Sequence, residues 1–205
     1  MGTRRVGKLL GITGTPGTGK KSVAPLVATR LGLTCYSLND LAGANGLASP
    51  ESGTGEVDTG VLRRIVSNTI LEPAVIYGHL LPYVVDRTWI SKVVVLRCDP
   101  LALKSRLRAR GYPLNKVFEN VEAELIGLIS VDTLKAFGRE KTFEFDTTVS
   151  RPGPSSASIA AALSGPYRSP QVIDWLENYG SESKLRSLLS GRTGESALTL
   201  PTPKS

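Results

Sequence analysis

Three glycines, two lysines and a serine near the amino end have the spacing to hold a phosphate: Gly14, Gly17 and Gly19, then Lys20, Lys21 and Ser22. Glycine tolerates left-handed backbone, so glycines at these intervals let the chain turn tightly and aim successive N–H groups at one point. Lys20 adds a mobile cation. Around these residues, Leu9 to Leu31 reads LLGITGTPGTGKKSVAPLVATRL: a short apolar run, the glycine-rich turn, then Val23, Leu26, Val27 and Leu31 at helical spacing. That order predicts strand, loop and helix. A helix starting near Lys20 points its unsatisfied N–H groups, and the positive end of its dipole, at the same anion. The interval from Gly14 to Lys20 fits the phosphate-binding loop pattern, and the flanking strand and helix are the context that pattern requires. A plain glycine-rich hairpin needs neither Lys20 nor the amphipathic series behind it. At the position directly after the lysine, where the pattern puts a magnesium-ligating hydroxyl, this chain has Lys21; the hydroxyl comes one place later, at Ser22.

Other candidates stand at the ends of predicted elements. His79, the single histidine, follows Tyr77-Gly78 after an apolar run. Its imidazole suits proton handling near neutral pH, and a hydrogen-bonded structural role stays open beside the positioning of water or an acceptor. Arg106 and Arg110 are four apart on one helix face, and Gly111-Tyr112-Pro113 breaks the helix after them. That puts Arg110 on a hinge able to swing towards phosphates, although a basic helix end is also what a solvated face looks like. Asp40 and Asp58 each read as a helix cap or as a group facing a ligand, and Asp99-Pro100 reads as an N-cap followed by proline in the first turn.

The elements that must position these residues alternate along the chain. After the first helix, Leu33 to Ser37 predicts a strand; Gly43 to Gly60 shifts to Gly, Ser, Ala and acidic residues and reads as a flexible insertion; Val57 to Leu71 restores helical spacing. Ala74 to Tyr77 and Lys92 to Leu96 are buried-strand runs, a long helix is expected from about Asn115 to Ala136 with Val117, Val121, Leu125 and Leu128 inward, and Phe143 to Asp146 supplies a last strand. Continuous β-branched runs separated by helices mean a parallel sheet covered on both faces, here of about five strands, with ligands at the carboxyl ends of the strands. Beyond it, Arg151 to Pro170 holds a short helix near Ser158 to Leu163, the amphipathic segment 171–179 docks on the domain, and residues 191–205 read as a disordered tail.

At 205 residues the chain suits one α/β domain over residues 1–190 with extensions, and its net charge of +7 suits polyanionic partners, nucleotides at least, with direct RNA contact left open. Two cysteines, Cys35 and Cys98, make neither a disulfide framework nor a metal site and read as buried free thiols in a reducing cytoplasm. No signal peptide and no segment of membrane-spanning length is expected, so the protein is read as soluble and intracellular.

The ordered set GTPGTGK, YSLNDLA, Gly78-His79, VLRCDP, RLRARGY with NVEAEL after it, FDTT and VIDWLE resembles one family, the adenylate kinases that mature the small ribosomal subunit. Its members are the sixth adenylate kinase isoenzyme of eukaryotes and its archaeal relatives, and the archaeal branch looks closest. The likeness runs from about Leu9 to Glu177. Adenylate kinases also carry the loop hydroxyl one place after the usual position. The resemblance implies a P-loop nucleoside monophosphate kinase fold with an NMP-binding insertion at about 39–62 and a short lid at about 110–120. It implies transfer of the terminal phosphate between ATP and a monophosphate such as AMP, with ATPase activity, in late small-subunit maturation beside ribosomal protein uS11. Carried over residue by residue, Gly17, Gly19, Lys20, Lys21 and Ser22 hold the ATP phosphates, Arg110 contacts ATP, Arg151 lies near a basic residue bordering the adenine site, and Lys20, Arg110 and His79 are the catalytic set. Ser22 is the metal ligand for Mg2+. Where the family has a carboxylate before the Gly-His pair, which helps hold that ion, this chain has Tyr77. Tyr77 and Lys21 keep a second function in view: a weakly catalytic, nucleotide-binding ribosome assembly factor whose partner recognises its ATP-bound state.

Overall fold

The computed structural model describes residues 8–47, 57–166 and 172–190. The expected tail at 191–205, and residues 48–56 of the NMP-binding insertion expected at about 39–62, lie outside them. The elements follow the alternation expected: β1 (Leu9–Thr13), α1 (Lys20–Leu31), β2 (Thr34–Ser37), α2 (Leu38–Ala44), α3 (Thr59–Thr69), β3 (Ala74–Tyr77), α4 (Leu81–Val84), β4 (Ile90–Arg97) and α5 (Pro100–Ala109). The second half adds α6 (Leu114–Leu125), α7 (Leu128–Phe137), β5 (Thr142–Asp146), α8 (Pro152–Ser164), α9 (Trp175–Asn178) and α10 (Glu182–Leu189). The strands form one parallel sheet of five, ordered β2-β3-β1-β4-β5. With β1 central and strands added on both sides of it, the carboxyl ends of β1, β3 and β4 frame a crevice, where ligands of such sheets sit. This is the P-loop kinase architecture.

Apolar clusters cover both faces. On one, Leu38, Leu62, Val66, Leu81 and Phe137 bring α2, α3, α4 and α7 down on β1 and β4. On the other, Val23, Ala24, Val27 and Ala28 of α1 pack with Ile159, Ala160 and Leu163 of α8 over Ile12, Val75, Val94 and Leu96. A third cluster sits under α5 and α6, where Leu103, Leu107, Val117 and Val121 receive Trp175, Tyr179 and Leu188 from the carboxyl-terminal part. Among the described residues no helix is long and apolar enough to cross a membrane.

Several expectations need correction. The helix expected over 115–136 is two helices, because Gly127 adopts φ 64° as the residue before α7; Leu128 consequently turns outward and is 42% exposed. The helix expected at Ser158–Leu163 spans 13 residues, since Pro152 starts it early in the first turn where proline costs no hydrogen bond. In α1 the buried face runs through the alanines that let α8 approach, leaving Leu26 exposed. The composition shift at Gly43 belongs to the end of α2 rather than to an insertion. The segment at 171–179 docks through Trp175 and Tyr179 on a single turn of helix, with Val172 and Leu176 outward and Gln171 outside the described residues. Cys98 is fully buried, whereas Cys35 is only half-buried. Burial pushes both thiols up to about 11, so both stay protonated and unreactive at neutral pH.

The loop after β1 shows why the glycines are where they are. Gly14 has φ 137°, and a Cβ there would lie 2.3 Å from the backbone oxygen of Leu96. We expect Gly14→Ala to destabilise the fold by at least about 2 kcal/mol in urea unfolding, from left-handed strain plus the clash; a midpoint unchanged from wild type would contradict this packing.

Candidate functional site

The loop between β1 and α1 is built from turns only glycine makes comfortably. Gly14, Gly17 and Gly19 have φ of 137°, 97° and 101°. Gly14 and Gly17 are packed from behind, a Cβ on Gly17 falling 2.6 Å from Leu103, while Gly19 has nothing within 4 Å and opens outward. Gly19 is also the N-cap of α1, so the first-turn N–H groups of that helix face the same opening. The donors of a phosphate cradle are thus fixed by backbone geometry.

One pocket gathers most of the sequence candidates. Its lining includes Gly17, Gly19, Lys20, Lys21 and Ser22 from the loop and α1, Tyr77 and His79 from the end of β3, and Arg110 and Tyr112 from the break after α5. Ser37, Asn39 and Asp40 border it from the β2–α2 junction. Lys20, Lys21 and Arg110 set three cations against the single carboxylate of Asp40, a balance that favours an anion. Lys20 is folded over its own loop, its ammonium donating to the carbonyls of Gly14 at 2.6 Å and Thr15 at 3.0 Å. Arriving phosphate oxygens would offer it a charged acceptor instead.

Arg110 is the C-cap residue of α5, and the chain turns at Gly111 with φ 73°, so the arginine does sit on a break in the helix. Arg106 does not share its task. Its guanidinium donates to the carbonyls of Thr147 and Thr148, both at 2.7 Å, and so ties α5 to the loop after β5. Arg151 is exposed at the N-cap of α8 and is not part of the pocket lining. Asp40 is not a cap: Ser37 caps α2 by accepting from the Asp40 N–H at 3.2 Å, which leaves the Asp40 carboxylate at the pocket. Asp58 does cap α3, and Asp99 caps α5 with Pro100 in the first turn.

The joint between β1 and β3 holds His79 in place. Thr13 donates its hydroxyl to the Gly78 carbonyl at 2.9 Å, and the Gly78 N–H reaches Ile12 at 3.2 Å. A Cβ on Gly78 would come within 2.8 Å of Leu38, so a larger residue would push the β3 end off α2. Burial, and then the nearby Lys20 ammonium, pull the His79 imidazole from its ordinary 6.5 down to about 4. It is therefore neutral at pH 7, an acceptor or donor rather than a fixed cation.

The pocket fits ATP phosphates through the loop amides and Lys20. For magnesium the fit is narrower. Among the described residues no group of three or more His, Cys, Asp or Glu side chains could cage a metal. The lining offers the Ser22 hydroxyl and the Asp40 carboxylate, oxygen donors that suit an ion arriving on phosphates and keeping most of its waters.

Sequence reasoning missed one participant in the loop's architecture. Glu124 of α6 is 2% exposed and accepts from the Thr15 hydroxyl at 2.5 Å. The only signal was an acidic residue on an otherwise apolar helix face, within the NVEAEL run.

Comparison with known proteins agrees with this geometry. A family model described as an AAA domain matches residues 10–127. A protein of Thermococcus onnurineus named "Putative adenylate kinase" is 35% identical over 173 residues, covering 83% of this chain and 93% of that protein. One of the same name from Pyrococcus abyssi is 35% identical over 176 residues, with the same two coverages. The solved shikimate kinase of Bacteroides thetaiotaomicron superposes with a TM-score of 0.54 at 18% identity, covering 76% of this chain and 95% of that one, which is a likeness of fold.

The depressed imidazole gives a pH signature. As pH falls from 6.5 towards 4 the unfolded chain binds a proton at His79 that the folded chain refuses, so stability is lost across that window. Thermal unfolding of His79→Gln should therefore depend less on pH between 6.5 and 4 than the wild type. Parallel curves would contradict the burial of a neutral ring.

Proposed function

We propose a function from the premise that this chain belongs to the AAA domain family and to the adenylate kinase family of its archaeal relatives: it transfers the terminal phosphate between ATP and a nucleoside monophosphate such as AMP. The observation that carries this reading is the convergence of the left-handed Gly17 and Gly19 with Lys20, Lys21, Arg110 and His79 on one pocket at the carboxyl ends of β1 and β3.

Phosphoryl transfer asks chiefly for alignment and for compensation of charge on phosphate oxygens. The amides of the Gly14–Lys20 loop bind the phosphate tail without reorganising, because their directions are already fixed. Lys20 leaves its two carbonyls for the β- and γ-phosphates, and Lys21 adds charge at the same opening. Ser22 would hold the magnesium carried in by ATP, which would spread the negative charge of the phosphate oxygens. Asn39 and Asp40 face the acceptor side, and neutral His79 orients the acceptor phosphate or a water. Arg110 closes over the transferring group from the hinge at Gly111, and its departure reopens the pocket. With no acceptor bound, the same arrangement admits water, which gives an accompanying ATPase activity.

In this reading the protein works in the cytoplasm, in late maturation of the small ribosomal subunit, with uS11 as its partner. Support comes from the ordered run of motifs through VIDWLE and from the net charge of +7, which suits a ribonucleoprotein surface. A second reading rests on one observation: Tyr77 stands at the β3 end where a carboxylate would help hold magnesium. Under it, the protein binds ATP, turns over slowly and is recognised by its partner in the ATP-bound form. ADP formation measured with AMP, against ATP hydrolysis without it, separates the two. Faster ADP formation with AMP supports the kinase, and equal slow rates support the second reading.

Two variants test the roles. Lys20→Ala should raise the ATP Kd by at least about tenfold in calorimetry and lose turnover with it; unchanged affinity would contradict the phosphate role. Arg110→Ala should lower kcat by at least about tenfold while KM for ATP changes little, because its contact matters most on closure. A raised KM at full kcat would contradict it.

A further inference from the structure

Beneath the phosphate loop lies a buried polar network that the transfer reaction as described does not use. Arg97, at the end of β4, and Glu124, in the last turn of α6, are 3% and 2% exposed and pair at 2.8 Å. Such a pair survives burial only when its remaining lone pairs and protons are also met, and its partners come from several segments. Oε1 of Glu124 accepts from the Cys98 N–H at 3.0 Å and from the Trp175 indole N–H at 3.2 Å, and Oε2 accepts from the Thr15 hydroxyl at 2.5 Å. Arg97 donates onward to Glu144 at 2.9 Å and to the Ile173 carbonyl at 3.0 Å, while the Ile173 N–H meets Glu144 at 2.5 Å.

Thr15 is where this network reaches the phosphate loop. It is 1% exposed, and while its side chain is held by Glu124, its carbonyl accepts from Lys20 at 3.0 Å and from the N–H and hydroxyl of Thr18 at 3.2 and 2.9 Å. The orientation of the Thr15 peptide therefore sets both the seat of Lys20 and the turn of the loop. The helix that carries Glu124 starts at Leu114, directly after the Arg110–Pro113 hinge. The other oxygen of the same carboxylate holds Trp175 of the 172–179 segment, and Arg97 and Glu144 hold its Ile173.

We propose that Glu124 is a positioning residue for the phosphate loop and that, through it, nucleotide at the loop and the docked 172–179 segment are energetically coupled. This rests on the reading of the loop as an ATP site. Coupling between two sites is reciprocal: if the docked segment keeps the loop in shape, ATP at the loop must in turn tighten the segment.

The test uses Trp175 as the reporter, in full-length protein carrying Trp89→Phe to remove the other indole. ATP should change the Trp175 emission. Thr15→Val keeps the side-chain shape but deletes the donor to Glu124; it should raise the ATP Kd about tenfold and abolish the emission change, as expected for a lost hydrogen bond to a buried charge. Thr15→Ser should restore both. A merely structural role would lower the melting temperature of Thr15→Val and leave its Kd and emission response as in the parent, and that result overturns the proposal. Should Thr15→Val fail to fold, Trp175→Phe removes the indole donor from the far side, and its ATP Kd should rise about threefold; an unchanged Kd overturns the proposal equally. Failure of the parent protein to bind ATP at all would instead overturn the functional reading and this coupling with it.

Discussion

A chain can aim several backbone N–H groups at one point only by passing through conformations closed to most side chains, and the site depends on that constraint. Gly14, Gly17 and Gly19 meet it with positive φ at each turn. Two of them could hold no side chain even if the backbone allowed it, because Leu96 and Leu103 already occupy the space behind. The cradle is rigid because it is packed from the inside, and it is open because Gly19 alone faces outward. A binding site of this kind owes its anion selectivity to peptide dipoles and the helix N-terminus, with the lysines adding charge rather than creating the site.

The rest of the fold supports that cradle in layers. The parallel sheet brings the ends of β1 and β3 side by side, and the Thr13–Gly78 bond locks them in register, so His79 stands beside Lys20 by construction. The helices α5 and α6 deliver Arg110 and Tyr112 from the opposite rim. Below, the Arg97–Glu124 pair joins the loop to β4, α6, β5 and the carboxyl-terminal segment. A second buried cation, Lys104, ties α5 to the end of α10 through the Leu188 and Ser190 carbonyls at 2.6 and 2.9 Å. The carboxyl-terminal third is therefore part of the domain's polar framework as well as of its apolar core.

How much of this was legible in the sequence depended on how local the physics was. The strand–loop–helix unit, the Asp99-Pro100 cap and the β-branched strands are written in adjacent residues, and β3 matches its expected run of Ala74 to Tyr77 residue for residue. The break at Gly127 was not legible, because a glycine inside an apolar helical pattern becomes a break only when its surroundings favour it, and here the Arg97 guanidinium passes beside it. Asp40 read as a cap or as a group facing a ligand; the Ser37 hydroxyl three residues earlier took the cap and freed the carboxylate. Arg106 and Arg110 looked equivalent by spacing, but only the loop after β5, folded back from 41 and 42 residues away, separates their tasks. Glu124 is the extreme case, since its partners come from three distant stretches of chain, at Thr15, Arg97–Cys98 and Trp175.

The central claim is that one pocket takes the phosphates of both a triphosphate donor and a monophosphate acceptor. The most direct measurement is a calorimetric titration with a dinucleotide in which five phosphates join two adenosines, followed by amide hydrogen exchange of the complex. The account predicts one-to-one binding tighter than ATP alone, with slowed exchange both at the amides of 14–20 and around Asn39–Asp40. Binding no tighter than ATP, or protection confined to one of those two regions, would contradict it.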